Sequence, residues 1–176
     1  MASHVLLIRP MTDTIIVMPG QASFDFGAVQ SVGGEFGWTV GIADDLREVA
    51  AAHAYRRTSA VLFHRDAFGS NSWLDAVRLL KSALPGVRPV VCHGFSESID
   101  WPALCDAGAF HSLWLPLKEN EVRRSFGFLW EAERRVAEAT DRVPMIVPTR
   151  KRSTPERIRP ALAHGVRTRV MASAAG

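Results

Sequence analysis

Short apolar runs alternate with helix-length amphipathic segments between residues 14 and 135. Each run is rich in β-branched or aromatic residues and too short for a helix, which is typical of β-strands. Strands that alternate with helices form parallel sheets, because a parallel connection needs a crossover long enough to hold a helix. The pattern therefore predicts an α/β domain. Its five predicted strands are 14–18, 38–42, 59–63, 89–92 and 112–115.

The segments between the strands have the period of helices. Asp45 stands three residues before Glu48, which is the spacing of a capping box at a helix start. Segment 22–36 is less regular, because it holds three glycines that each cost a helix about 1 kcal/mol relative to alanine. The predicted inward stripes of the other two long helices are Trp73, Val77, Leu80 and Leu84, and Val122, Phe126, Leu129 and Val136.

Composition excludes several classes of protein. The chain has 176 residues, 47% of them apolar and 22% charged, as in a globular protein with one core. No apolar stretch reaches the roughly 18 residues of a membrane span, and the first residues lack the features of a secretory signal. Only Cys92 and Cys105 are present, so a disulfide framework is excluded, and we expect a cytoplasmic protein. Cys105 is predicted to be a small core residue.

Charge divides the chain into a body and a tail. Residues up to Thr140 carry a net charge of −3, whereas the remaining residues carry +6 and four prolines. We therefore predict a domain over 14–139 and a basic, proline-containing tail or linker over 140–176. Residues 1–13 contain one spare apolar run and are predicted to form an N-terminal arm or an extra edge strand.

One segment carries a family resemblance. Residues 107–116, Ala-Gly-Ala-Phe-His-Ser-Leu-Trp-Leu-Pro, are similar to the stretch that leads into the last strand of bacterial response-regulator receiver domains. The resemblance extends over about residues 14–138 and includes the Leu-Pro-Gly element at 84–86. It implies a flavodoxin-like (βα)5 three-layer sandwich, with a five-stranded parallel sheet of order 2-1-3-4-5.

The same resemblance implies where phosphoryl chemistry would lie. In that family an acidic pair after the first strand binds Mg²⁺, an Asp after the third accepts the phosphoryl group, a Thr or Ser follows the fourth, and a Lys-Pro pair follows the fifth. Here every active position departs from the pattern, and only the proline is retained. The matching residues are Met18 and Pro19, His64, His93 (or Cys92 if the strand slips by one), and Leu115 with Pro116.

Two substitutes for the missing groups remain open. Asp66 stands two residues beyond His64, so in an extended segment its carboxylate would point into the same pocket. His64 and His93 are expected at the ends of adjacent strands, as a metal site, a pH-sensitive pair or a phosphohistidine, or as fillers of the pocket bonded to backbone. Without an acidic pair and a lysine, we predict a degenerate receiver that is neither an enzyme nor dependent on a metal or other cofactor.

Two surfaces are candidates for binding. Receiver domains commonly contact partners through the fourth helix, fifth strand and fifth helix, and this region holds aromatic and arginine side chains of the kind that interfaces favour. The candidate interface residues are Trp101, Phe110, Trp114, Arg123, Arg124 and Trp130. The tail offers Arg150, Lys151 and Arg152 for non-specific contact with nucleic acid.

The leading hypothesis is a phosphorylation-independent signalling domain that contacts a protein partner or a second copy of itself, in two-component signalling or transcription regulation. The first alternative is a sensor that binds a small molecule or a metal in the emptied pocket at the strand ends, where open α/β sheets bind ligands. The second is a DNA-associated regulator that uses the basic tail.

Overall fold

The computed structural model describes residues 13–69 and 72–141. Strands and helices alternate as predicted, and most boundaries agree within a few residues. The elements are β1 (Thr14–Met18), α1 (Phe26–Glu35), β2 (Thr39–Ile42), α2 (Leu46–Tyr55), β3 (Thr58–Phe63), a 3-10 turn (Arg65–Phe68), α3 (Trp73–Ala83), β4 (Arg88–Gly94), α4 (Trp101–Asp106), β5 (His111–Leu115) and α5 (Glu119–Asp141).

The five strands form one parallel sheet of order β2-β1-β3-β4-β5. All residues of β1 and β3 are buried, as expected for strands covered on both faces. The sheet order reverses between β1 and β3, and both strands end at the same edge of the sheet. This arrangement confirms the predicted fold class and places a crevice at the carboxyl ends of β1, β3 and β4.

Helices cover both faces of the sheet and create two separate apolar layers. The layer under α1 and α5 contains Val29 and Phe126, and the layer under α2, α3 and α4 contains Val49, Leu80 and Leu104. Alternate residues of the central strands point into opposite layers, because successive side chains of a strand face opposite ways. The molecule is thus a three-layer sandwich within the described residues.

The polar residues at the helix starts act as the sequence predicts. Asp45 caps α2 by accepting the backbone N–H of Glu48 at 2.9 Å, and Glu48 in turn accepts the N–H of Asp44. The irregular glycine segment does form a helix, α1. A Cβ at Gly33 would lie 2.5 Å from Cγ2 of Val40, so this glycine lets α1 pack closely on β2.

The last helix departs from its predicted stripe. Val122, Phe126 and Leu129 are buried as expected, but Val136 is 48% exposed. Residues 134–140 are all exposed, because α5 continues past the end of the apolar layer. The helix also extends through Asp141, two residues beyond the predicted domain limit.

Glu133 anchors α5 at the end of the sheet opposite the crevice. Its carboxylate is almost fully buried and pairs with the guanidinium groups of Arg57 and Arg88. Arg57 precedes β3 and Arg88 begins β4, so one carboxylate joins α5 to two central strands.

Residues 1–12 of the predicted arm over 1–13, and residues 142–176 of the predicted tail over 140–176, lie outside the described residues; the latter include Arg150, Lys151 and Arg152. The helices within the described ranges 13–69 and 72–141 include none that is both long enough and apolar enough to cross a membrane.

Candidate functional site at the carboxyl ends of the strands

The end of β1 brings no acidic side chain into the crevice. Met18 is fully buried in the apolar layer under α2, α3 and α4, and Pro19 and Gly20 follow it. Gly20 has a positive φ of 58°, and a Cβ there would lie 2.7 Å from the backbone nitrogen of Ala67. The loop after β1 therefore packs directly against the turn after β3, which only glycine permits at this position.

His64 lies at the position where the resemblance implies a phosphoryl acceptor. It follows β3 and is only 7% exposed. Its Nδ1 lies 3.2 Å from Oδ2 of Asp66, and its Nε2 lies 3.1 Å from Oε2 of Glu97. The imidazole is thus held between two carboxylates. A neutral ring carries one N–H and can donate to one of them, whereas an imidazolium donates to both.

Asp66 does approach His64, but not by the predicted route. Residues 65–68 form a 3-10 turn rather than an extended segment, and Nδ1 of His64 accepts the backbone N–H of Asp66 at 3.4 Å. The Asp66 side chain is 38% exposed, so its carboxylate lies at the mouth of the crevice.

Glu97 was missed by the sequence analysis and has three polar partners among the described crevice residues. Besides His64, it accepts the backbone N–H of Gly94 at 2.7 Å and pairs with Nη2 of Arg65 at 3.0 Å. Burial raises the pKa of Glu97, but the Gly94 N–H, His64 and Arg65 together outweigh it and hold that pKa below its usual range. Glu97 therefore ties the loop after β4 to the turn after β3.

His93 occupies the corresponding place at the end of β4. Its Nδ1 lies 3.4 Å from the carbonyl oxygen of Gly94, which can only accept, so Nδ1 carries the proton. Burial lowers the pKa of His93, which favours the neutral ring. Its ring contacts Trp73 and Trp114. Backbone bonding, one of the alternatives left open for the two histidines, describes His93, whereas His64 accepts a backbone N–H and also lies between two carboxylates.

Cys92 faces the other side of the sheet and takes no part in the crevice. It belongs to the apolar layer under α1 and α5, and burial raises the pKa of its thiol. The alternative alignment that placed Cys92 at the end of β4 is therefore wrong. The prediction that Cys105 is a core residue is also wrong, because Cys105 is exposed and its short helix, α4, fully buries only Leu104.

Metal-ligand side chains do not cluster in the part of the crevice that the structure describes. Within 13–69 and 72–141, no group of three or more His, Cys, Asp or Glu side chains is placed to hold a metal ion. His64 and His93 bond to separate partners rather than converge on one point. Leu115, at the position where the resemblance implies a lysine, is half-buried against the apolar layer under α1 and α5. Pro116 is exposed.

A pair of aromatic rings lies beside the crevice on the surface. Phe95 and Trp114 stack with centroids 4.7 Å apart and planes 13° from parallel. Phe95 is 70% exposed and Trp114 is 40% exposed. We call these two residues the aromatic patch. Trp114 also lies 4.3 Å from the His93 ring, so the patch is in direct contact with a crevice residue.

The other predicted interface residues differ in exposure. Trp130 is 45% exposed and packs on the Arg134 guanidinium, and Arg124 is exposed. Arg123 forms ion pairs with Glu35 and Glu119. The other two are half-buried against the apolar layers: Trp101 and Phe110.

Comparison with known proteins agrees with this geometry at the level of the fold. No family model and no curated protein matches the chain. A response regulator from Thermotoga maritima is 18% identical over 68% of this chain and 98% of its own, with a TM-score of 0.54. The signal receiver domain of an HD domain-containing protein from Pseudomonas fluorescens is 12% identical over 77% and 98%, with a TM-score of 0.55.

The chain has the receiver fold. NtrX from Brucella abortus matches at a TM-score of 0.55 and 18% identity over 73% of this chain, which spans only 28% of NtrX. At these identities the matches establish the five-stranded architecture, and the chemistry of the site must be argued from the residues of this chain.

Proposed function

We propose that this chain is a phosphorylation-independent, receiver-like signalling domain that works through protein–protein contact. Its fold is that of response-regulator receivers, which supports a role in two-component signalling. The observation that carries the proposal is the environment of His64, whose ring lies between the carboxylates of Asp66 and Glu97 at the position where the resemblance implies a phosphoryl acceptor.

This environment disfavours phosphoryl transfer for electrostatic reasons. A phosphoryl donor carries negative charge and reacts where cations neutralise it. Met18 and Pro19 offer no oxygen side chain to Mg²⁺, and Leu115 offers no charge. The two carboxylates beside His64 repel an approaching phosphate, and Arg65, the nearest cation, is already paired with Glu97.

Mass spectrometry tests phosphorylation independence directly. The full chain is incubated with Mg²⁺ and acetyl phosphate, with Asp66→Ala treated in parallel because Asp66 is the exposed carboxylate of the crevice. We expect no addition of a phosphoryl group to either protein. Addition of one group to the wild type, abolished in Asp66→Ala, would contradict the proposal.

The contact surface that we propose is the region of α4, β5 and α5 centred on the aromatic patch. Exposed stacked aromatic rings remove apolar area from water when a partner covers them, at about 25 cal/mol per Å². Among the strands within residues 13–69 and 72–141, β5 lies at an edge of the sheet and pairs only with β4.

Sedimentation of the full chain tests this surface. We expect self-association that the double variant Phe95→Ala/Trp114→Ala weakens at least tenfold, because the patch lies at the centre of the contact. Tyr55→Ala is the matched control, since Tyr55 is an aromatic residue with 88% exposure on α2, away from β5. Equal association of all three proteins would show that the contact lies elsewhere.

A further inference from the structure

One side of β5 carries backbone groups that no other strand of the described ranges pairs with, since β5 pairs with β4 alone. The N–H of Phe110 donates to the carbonyl of Pro89 in β4 at 2.8 Å. Successive residues of a strand direct their N–H and C=O groups alternately to either side, so Ser112 and Trp114 also face β4. The other residues of β5 direct these groups away from β4, and we call them the outward residues: His111, Leu113 and Leu115.

The sequence of β5 does not protect this edge from pairing. Edge strands commonly carry a lysine, a proline or a bulge, each of which discourages a further strand. β5 reads His-Ser-Leu-Trp-Leu and so has neither a proline nor an acidic or basic side chain other than histidine. Its register with β4 is regular from residue 111 to residue 115. β5 is therefore suited to accept a further strand.

Exposed aromatic side chains flank the same edge on both faces of the sheet. On the side of α4, the aromatic patch of Phe95 and Trp114 lies beside the strand. On the side of α5, Phe128 is 52% exposed and its ring centroid lies 5.7 Å from that of His111. With about 200–250 Å² for a whole aromatic side chain, the exposed parts of these three rings amount to roughly 350 Å². A strand added to β5 would cover them.

A second copy of β5 fits this edge in an antiparallel register centred on Leu113. With Leu113 on a two-fold axis, it lies opposite Leu113 of the copy, and His111 lies opposite Leu115 of the copy. Outward residues that oppose each other in an antiparallel ladder exchange both N–H···O bonds. Every outward N–H and C=O of both strands is then bonded. A register centred on the residue before or after Leu113 leaves one outward residue of each strand unpaired.

The side chains that this register brings together complement each other in size. Residues directly opposite each other lie on the same face of the sheet. Ser112, the smallest side chain of β5, lies opposite the large Trp114 of the copy, so the two indole rings do not collide. On the other face, His111 and the adjacent Phe128 cover Leu115 of the copy, which is only half-buried within one chain.

The charges of α5 fit the same two-fold axis. The contact of Phe128 with His111 shows that α5 returns antiparallel to β5. Leu113 lies two residues further along β5, or about 6.6 Å, which corresponds to about four residues of helix before Phe128. Glu121 and Arg124 lie at this level, and on the same helix face as Phe128. In a two-fold pair, each Glu121 therefore faces Arg124 of the copy.

Both charged groups are available for such a pair. Arg124 is exposed and forms no ion pair within residues 13–69 and 72–141. Glu121 has only Lys118 nearby, at 4.0 Å, and the Lys118 side chain is 64% exposed. Exposed pairs of this kind are weak and exchange partners at little cost.

We propose that two copies of this chain associate by antiparallel pairing of their β5 strands, which joins the two sheets into one continuous sheet. The inference rests on the proposed protein contact, for which it names a second copy as the partner and β5 as the pairing strand. The aromatic area of two copies, roughly 700 Å², is smaller than the 1,200 Å² or more of a stable interface, and strand pairing and α5 add to it. We therefore expect a weak dimer that dissociates on dilution.

Amide hydrogen exchange of the ¹⁵N-labelled full chain, measured at several protein concentrations, tests the strand pairing. We expect exchange of the Leu113 amide to slow at least tenfold once sedimentation shows that nine-tenths of the chain is dimeric. Val40 is the matched control at the other edge of the sheet. The N–H of Thr39 donates to Asp13, so that of Val40 points away from β1, and its exchange should not depend on concentration.

Charge reversal on α5 tests the two-fold axis. Glu121→Arg and Arg124→Glu should each weaken the dimer at least fivefold, because like charges then face each other across the axis. The double variant Glu121→Arg/Arg124→Glu restores both pairs and should associate within twofold of the wild type. Glu138→Arg makes the same change of charge on the exposed end of α5, far from the axis, and should leave association unchanged.

Three results would overturn the proposal: a chain that stays monomeric at every concentration, exchange at Leu113 that does not respond to concentration, or a double variant as weak as the single ones. Association that depends on Phe95 and Trp114 without a response at Leu113 would reject the strand pairing and leave the contact through the aromatic patch in place. The two failures are therefore distinguishable.

Discussion

Replacement of Glu97 by glutamine is expected to destabilise the domain by about 2 kcal/mol at neutral pH. A hydrogen bond to a charged group contributes about 1.5–3 kcal/mol. The glutamine oxygen can still accept the N–H of Gly94, so the loss falls on the charged contacts with His64 and Arg65. The Glu97 side chain is 16% exposed and that of Arg65 is 31% exposed, so solvent weakens these contacts. The total loss of stability from both contacts therefore lies near the lower end of that range.

The contribution of Glu97 to stability depends on pH. The pKa of Glu97 is lowered in the folded state, so its stabilising effect is present above the pKa of an unfolded glutamate and is lost as the pH falls through the folded value. Urea unfolding followed by circular dichroism should therefore give the wild type a higher free energy of unfolding than Glu97→Gln at pH 7. This difference should shrink below about pH 4.

Glu138→Gln is the matched control for this experiment. Glu138 pairs with Arg134 at 3.8 Å on the exposed part of α5, where such pairs contribute about 0.5 kcal/mol or less. Equal unfolding midpoints for the Glu97 and Glu138 variants, or a gap that stays constant down to about pH 3, would refute the assigned role of Glu97.

Two further predictions concern packing and anchoring. Gly33→Ala should destabilise by about 1–3 kcal/mol, because its Cβ would meet Val40 at 2.5 Å, whereas Gly34→Ala on the same helix has open space and should stabilise by up to about 1 kcal/mol. Thermal unfolding that ranks these two variants in the other order would contradict the packing of α1. Glu133→Gln should cost about 3 kcal/mol in urea unfolding, because it leaves Arg88 without its buried partner; a change below about 1 kcal/mol would show that α5 is anchored otherwise.

A histidine joins two loops of the crevice. The position where the resemblance implies a phosphoryl acceptor holds the imidazole of His64, and Asp66 and Glu97 link the turn after β3 and the loop after β4 through this ring. The aromatic patch contacts the same region through His93. Changes at Glu97 or His64 thus have a short physical route to the proposed contact surface.

Some parts of the site could be predicted from the sequence and others could not. The positions of His64 and His93 follow from counting along strands, because strand ends in a parallel sheet meet at one edge. Glu97 lies 33 residues from His64 and in a loop, where no periodicity indicates the direction of a side chain. Its only signal was its place three residues after β4. Cys105 was wrongly predicted because a six-residue helix has too short a stripe to define a buried face.

The amino-acid sequence alone determines the order of the elements and the five-stranded α/β class. These features follow from local periodicity and composition, which each segment carries by itself. Tertiary structure alone decides which carboxylates meet His64 and which aromatic rings remain exposed. Those outcomes depend on the paths of loops and on packing between distant segments, where small displacements change every contact.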